Sequence, residues 1–154
     1  MILSMNHTGF VVKNLEESIK FYKDILGLKV TIRRERTGKP IDQVVGYTST
    51  HIKAAMLTID ENHYLELIQY LNPEPNTQMP TDRNILGASH LAFMVDDIEK
   101  EFEKLISNGA QKLNEPVSLT PERKACYLQD PDGNWVELIE DNGFSMIKSW
   151  ETSQ

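Results

Sequence analysis

Four side chains in this 154-residue sequence have the types and settings for joint chemistry: His7, Glu66, His90 and Glu137. Glu66 lies between Leu65 and Leu67, and Glu137 between Val136 and Leu138. A carboxylate inside an otherwise apolar strand is costly to bury unless it is paired or binds a metal. Two imidazoles and two carboxylates make a mixed N/O donor set. It suits one divalent ion (Ni, Zn, Co, Mn or Fe) and leaves positions for water or substrate. Each residue alone has an ordinary explanation, a hydrogen-bonded strand histidine or a solvated strand glutamate. The case for a shared role rests on where the four recur.

They recur in an internal repeat. Asn6-His7-Thr8-Gly9-Phe10-Val11-Val12 lies over Ser89-His90-Leu91-Ala92-Phe93-Met94-Val95, a step of 83 residues. Asn14, Leu15, Glu16 and Ile19 then fall over Asp97, Ile98, Glu99 and Phe102. Further along, Met56-Leu57 matches Tyr127-Leu128, and Tyr64-Leu65-Glu66-Leu67-Ile68 matches Trp135-Val136-Glu137-Leu138-Ile139, now a step of 71. The first copy therefore holds 12 extra residues, expected between Thr31 and Thr50.

Each copy begins with a predicted strand, about 5–12 and about 88–95, alternating with period two. Asn14 with Glu17 makes a capping-box pattern, and Asp97 is the corresponding N-cap. Leu15, Ile19, Tyr22 and Leu26 share one helical face, as do Ile98, Phe102 and Leu105. Gly27 and Gly109 stand where left-handed C-caps are expected. Three more strands complete each unit. The last two form a hairpin, turning in the second copy at Asp130-Pro131-Asp132-Gly133-Asn134. Modules at 5–71 and 88–140 are expected, with a proline-rich connector over 72–87. The tail 141–154 keeps Phe144, Met146, Ile147 and Trp150, apolar residues for a closing flap or a partner chain. Within the strands, Thr8, Phe10 and Val12 oppose His7, Gly9 and Val11, and Leu91, Phe93 and Val95 oppose His90, Ala92 and Met94. The bulkier sets belong against the helices, so both histidines and both glutamates take the open face. If the copies pack about a pseudo-two-fold axis, the four meet in one cup.

Sixteen Lys and Arg against 23 Asp and Glu give a net charge of −7, which argues against a nucleic-acid partner. No apolar run approaches the roughly 20 residues of a membrane span. Met1-Ile2-Leu3-Ser4-Met5 lacks the features of a signal peptide, and one cysteine leaves no internal disulfide. The expected location is the cytoplasm, the expected partner a small-molecule substrate.

The sequence resembles the vicinal oxygen chelate superfamily, which includes glyoxalase I, methylmalonyl-CoA epimerase, extradiol dioxygenases, and fosfomycin- and bleomycin-resistance proteins. The resemblance runs from about Met5 to Glu140. It is carried by His7-Thr8-Gly9-Phe10-Val11-Val12, Phe21-Tyr22-Lys23-Asp24-Ile25-Leu26-Gly27, Ser89-His90-Leu91-Ala92-Phe93, and Asp130-Pro131-Asp132-Gly133-Asn134-Trp135-Val136-Glu137-Leu138. It implies an α+β fold in which two βαβββ modules form an incomplete barrel around a metal held by His7, Glu66, His90 and Glu137. The ligand set is similar to that of bacterial-type glyoxalase I (lactoylglutathione lyase) and of methylmalonyl-CoA epimerases. Extradiol dioxygenases use two His and one Glu, and bleomycin-binding members lack the set. The implied function is a divalent-metal-dependent lyase or isomerase that stabilises an enediolate on a small carbonyl or thiol-adduct substrate. Glu137, Glu66 or both serve as the base. The alternatives, in order, are an epimerase, a ferrous dioxygenase and a non-catalytic binding protein. A homodimer is implied as well. The stretch Leu67–Pro73 departs from the glutathione-using glyoxalases, and Asn84–His90 lacks the paired histidines common in the epimerases.

Arg33, Arg34, Arg36 and Lys39, with Arg123 and Lys124, are candidates for binding a substrate carboxylate or phosphate. The preferred reading of this cluster is a charged strand edge that resists aggregation. His51 and His63 read as surface residues, and Cys126 as a packed thiol. Tyr64 and Trp135 flank the glutamates on the same face, as walls of the cup or as ordinary packing.

Overall fold

Burial alternates along the strands and sets the architecture of both halves. In the first, β1 (Thr8–Val11) leads into α1 (Leu15–Lys20), followed by β2 (Lys29–Thr37), α2 (Lys39–Val45), β3 (His51–Thr58) and β4 (Tyr64–Asn72). In the second, β5 (His90–Met94) leads into α3 (Ile98–Ser107), then β6 (Gln111–Lys112), β7 (Val117–Ser118), β8 (Arg123–Gln129) and β9 (Trp135–Asp141). The computed structural model describes residues 1–75 and 82–142. The chain divides into units Met1–Gln78 and Met79–Gln154, each with its own sheet. The strand orders are β1-β4-β3-β2 and β5-β9-β8-β6, with β7 also paired to β8. The fold is α+β, and the described residues form no closed barrel.

In each sheet the first strand runs parallel to the last, and the remaining pairs are antiparallel. The registers repeat too: Gly9 lies opposite Glu66, and Ala92 opposite Glu137. One face carries the core. Leu57, Leu65, Leu67, Leu128, Val136 and Leu138 are all at most 3% exposed, which is the burial expected where helices cover a sheet. The opposite face stays open.

The helices are tied to the sheets by a device that the repeat uses twice. The backbone N–H of Leu15 donates to Gln69 Oε1 at 3.0 Å, and that of Ile98 to Glu140 Oε2 at 2.9 Å. Both acceptors lie near the end of the last strand of their unit, and both satisfy a first-turn N–H that has no partner within its helix. Asn14 Oδ1 accepts from the N–H groups of Glu16 and Glu17, and Asp97 Oδ1 from that of Lys100. Glu17 meets the Asn14 side-chain amide at 3.2 Å. Gly27 and Gly109 take φ of 80° and 99°, the left-handed region that ends each helix.

Three expectations change. The first helix is not regular to Leu26: after Lys20 it widens into a π turn over Phe21–Ile25. Phe21 and Tyr22, at the start of that turn, are both in the core, at 2% and 0% exposure. Next, β1 begins at Thr8, so His7 stands just before the paired segment, although with the expected facing. Finally, the second module has an edge broken into the two-residue strands β6 and β7, giving four further strands rather than three. The extra residues of the first copy form α2, between Gly38 and Gly46, which buries none of its side chains. Part of the expected connector, residues 76–81, and the tail residues Phe144, Met146, Ile147 and Trp150 lie outside the described residues.

The strand-to-helix tie has a measurable consequence. Glu140→Ala removes the acceptor from a buried Ile98 N–H and should lower unfolding free energy by about 1–3 kcal/mol. Glu140→Gln keeps a carbonyl acceptor and should retain most of that stability, read as the urea midpoint of each variant.

Candidate metal and substrate site

The alternation that buries Leu65 and Leu67 turns Glu66 to the open face of the first sheet. Parallel pairing of β1 with β4 then brings His7 alongside: its Nε2 lies 3.2 Å from Glu66 Oε2. His7 Nδ1 sits 2.7 Å from Asn6 Oδ1, so the ring is held between Asn6 at Nδ1 and Glu66 at Nε2. In the second unit β5 and β9 repeat the arrangement, with His90 Nε2 3.1 Å from Glu137 Oε2. The structure thus brings His7 together with Glu66, and His90 together with Glu137.

Each pair has the spacing of two neighbouring ligands on one ion. Donors held about 2.1 Å from a divalent cation stand roughly 3.0–3.4 Å apart. An N–H···O hydrogen bond spans the same distances, so each pair is close enough for either arrangement. Each pair offers one imidazole nitrogen and one carboxylate oxygen, donors of the kind that divalent metals take, so His7 with Glu66 and His90 with Glu137 each fit a metal ion. Another acidic group, Asp97, Glu99 and Glu140, brings carboxylate oxygens within 4.8 Å of one another. Its members are occupied structurally: Asp97 caps α3, Glu140 holds Ile98, and Glu99 pairs with Lys124 at 2.7 Å.

The halves differ in what surrounds the glutamate. Opposite Glu137 on β8 stands Tyr127, whose hydroxyl donates to Glu137 Oε2 at 3.0 Å and lies 3.3 Å from His90 Nε2. Burial pushes the Tyr127 phenol upward, and the bond to Glu137 adds to that, so it stays protonated as a donor. Its ring meets His90 edge-on, and the Arg83 guanidinium lies 4.6 Å from its centroid and 5.3 Å from that of Trp135. In the first half Met56 takes the place of Tyr127 opposite Glu66. There the open face forms a pocket of about 530 Å³ lined by Asn6, His7, Thr31, Ile32, Arg34, Ala54, Ala55, Met56, Tyr64 and Glu66.

The outlying candidates divide. Arg33 pairs with Glu16, Lys124 with Glu99, and His51 with Glu35 at 2.6 Å. His63 is held by Asp60 in the β3–β4 turn. Tyr64 lines the pocket, and Trp135 is 6% exposed under Arg83. Tyr127 and Arg83 were not legible as site residues. The repeat alignment held the one signal for Tyr127, a phenol exchanged for the thioether of Met56 beside an otherwise matched glutamate.

Residues 4–138 match the Glyoxalase/Bleomycin resistance protein/Dioxygenase superfamily. The chain belongs to this superfamily. A solved glyoxalase family protein from Bacillus cereus superposes with a TM-score of 0.85 at 28% identity, covering 93% of this chain and 97% of that one. A metallothiol transferase of Staphylococcus epidermidis is 30% identical over 89% of this chain and 81% of its own length. The 2-epi-5-epi-valiolone epimerase of an Actinomyces species is 26% identical (89% and 79%), and a probable lactoylglutathione lyase of Synechocystis 28% (87% and 92%). The relatives' names, a transferase, an epimerase and a lyase, show one scaffold that carries different reactions. Among the described residues no helix is long and apolar enough to cross a membrane.

Cys126 lies on the core face of β8, 2% exposed, and burial pushes its thiol up to about 11. The thiol is therefore protonated at neutral and mildly alkaline pH, and no nucleophilic role is open to it. Iodoacetamide at pH 8 should label it only at the rate at which β8 opens, followed by mass spectrometry. Fast labelling of folded protein would contradict this packing.

Proposed function

We propose that the protein is a divalent-metal-dependent lyase or isomerase of the glyoxalase I type, with His7, Glu66, His90 and Glu137 as the metal ligands. The observation that carries this reading is the twofold occurrence of one geometry. A histidine Nε2 stands 3.2 Å and 3.1 Å from a glutamate Oε2 at repeat-equivalent positions. The metal, when bound, supplies Lewis-acid stabilisation of the negative charge that develops on substrate oxygens beside an acidic C–H bond.

The chain's own residues divide the remaining work. Glu66 faces the pocket, where it takes the proton from the acidic carbon and returns it to a neighbouring carbon. Tyr127 donates to Glu137 and fixes that carboxylate's orientation, so Glu137 is the more firmly held of the two. Asn6 Oδ1 stands against His7 Nδ1 and orients the ring. The apolar part of the pocket, with Ile32, Ala54 and Met56, excludes water from the reacting carbon. The same machinery serves an epimerase if the proton returns to the opposite face, and the epimerase relative keeps that reading second. A four-residue set with two carboxylates counts against the three-ligand dioxygenase.

Metal-depleted protein titrated with nickel or zinc is expected to bind a single ion per chain, and His7→Ala and His90→Ala should each abolish stoichiometric uptake. Turnover is sought in the metal-loaded protein with methylglyoxal plus several thiols, and with methylmalonyl-CoA. Glu66→Gln and Glu137→Gln should each lower kcat by about 100-fold or more. Absence of metal uptake, or full turnover in both Gln variants, would sink the proposal.

The role given to Tyr127 is tested separately. Tyr127→Phe removes the donor to Glu137 while keeping the ring, and metal affinity should fall about tenfold. The cobalt-substituted protein should also show an altered visible spectrum. An unchanged affinity and spectrum would mean that the phenol does not position Glu137.

A further inference from the structure

The pocket of the first unit has a polar end and a cationic end on one sheet face. Met56 lies opposite Glu66, Ile32 opposite Met56, and Arg34 opposite Ala54, so Glu66, Met56, Ile32, Ala54 and Arg34 all present side chains to that face. Two strand spacings across and two residues along separate Arg34 from Glu66, about 12 Å between Cα atoms. Between them lies a largely apolar floor, and Arg34 is the one Lys or Arg that lines the pocket.

A charged strand edge accounts for some of the neighbouring residues but not for Arg34. On the opposite face of β2, Arg33 is matched by Glu16 and Glu35 by His51. On the pocket face, Arg34 and Arg36 stand two residues apart with no ion pair among the described residues. In a chain of net charge −7, two cations with no ion pair among the described residues, on the face that carries this pocket, point to an anion brought in from outside.

We infer that the substrate is a small organic acid whose carboxylate is bound by Arg34. Its reacting carbon then lies at the His7–Glu66 end. A planar guanidinium matches a carboxylate in a two-point contact. A phosphate dianion would carry one charge more than the single lining cation offsets, with Glu66 lining the same pocket. The inference rests on the proposed function only for what happens at the His7–Glu66 end, because acid recognition by Arg34 requires neither metal nor turnover.

The test therefore uses metal-free protein. Glutarate, its dimethyl ester and inorganic phosphate are titrated in turn, and amide NMR shifts of β2, β3 and β4 report binding. Glutarate should bind about tenfold or more tightly than its diester, the effect of one charge-assisted contact. Arg34→Met should erase that preference, Arg34→Lys should keep part of it, and Arg36→Met should leave it in place. The urea midpoint of each variant shows that it is folded. Equal binding of acid and diester to the wild type, a preference that survives Arg34→Met, or phosphate binding tighter than glutarate would overturn the inference. An Arg34-dependent preference in protein that takes up no metal would instead sink the metal reading and leave this one standing.

Discussion

Each glutamate is held out of the core by its neighbours. Leu65 and Leu67 in one half, Val136 and Leu138 in the other, are at most 3% exposed, and a strand that buries those flanks must turn the residue between them to the opposite face. A one-residue slip would put a carboxylate against the helix and expose two large apolar side chains, at a cost of several kcal/mol. Parallel pairing of the first strand with the last then sets a histidine beside each carboxylate. The histidine–glutamate spacing is thus a by-product of packing the other face, which is why it can be so similar in two halves of different sequence.

The same logic explains what the halves share and where they part. Both anchor the N-terminus of the helix to the last strand through a side-chain acceptor, Gln69 or Glu140. That contact fixes the helix over the sheet and thereby protects the register. On the open face no packing rule constrains the residues, and there the copies diverge. Met56 leaves Glu66 beside a pocket, while Tyr127 clamps Glu137 under Arg83. The copies thus keep one form on the packed face while their open faces differ.

The relatives fit this division. A transferase, an epimerase and a lyase at 26–30% identity align over most of the chain, so the scaffold tolerates a change of reaction. The residues that select among reactions are then to be sought on the open faces, where side chains are free to change without loss of core packing.

The α+β order of strands and helices, the helix caps at Asn14 and Asp97, and the outward facing of Glu66 and Glu137 were readable from order and periodicity alone, because burial of one strand face leaves a period of two and burial of a helix leaves a period near 3.6. Local patterns of that kind do not carry information about which residues become neighbours across strands. Only the register between β8 and β9 put Tyr127 against Glu137, and only the order β4-β3-β2 placed Arg34 on the face that Glu66 occupies. The π turn over Phe21–Ile25 was equally hidden, since it departs from the period on which the helix was recognised. The sequence by itself determined the fold class and the sheet face that each glutamate takes. Cross-strand pairing, a relation between residues distant in the chain, decided what stands beside each one.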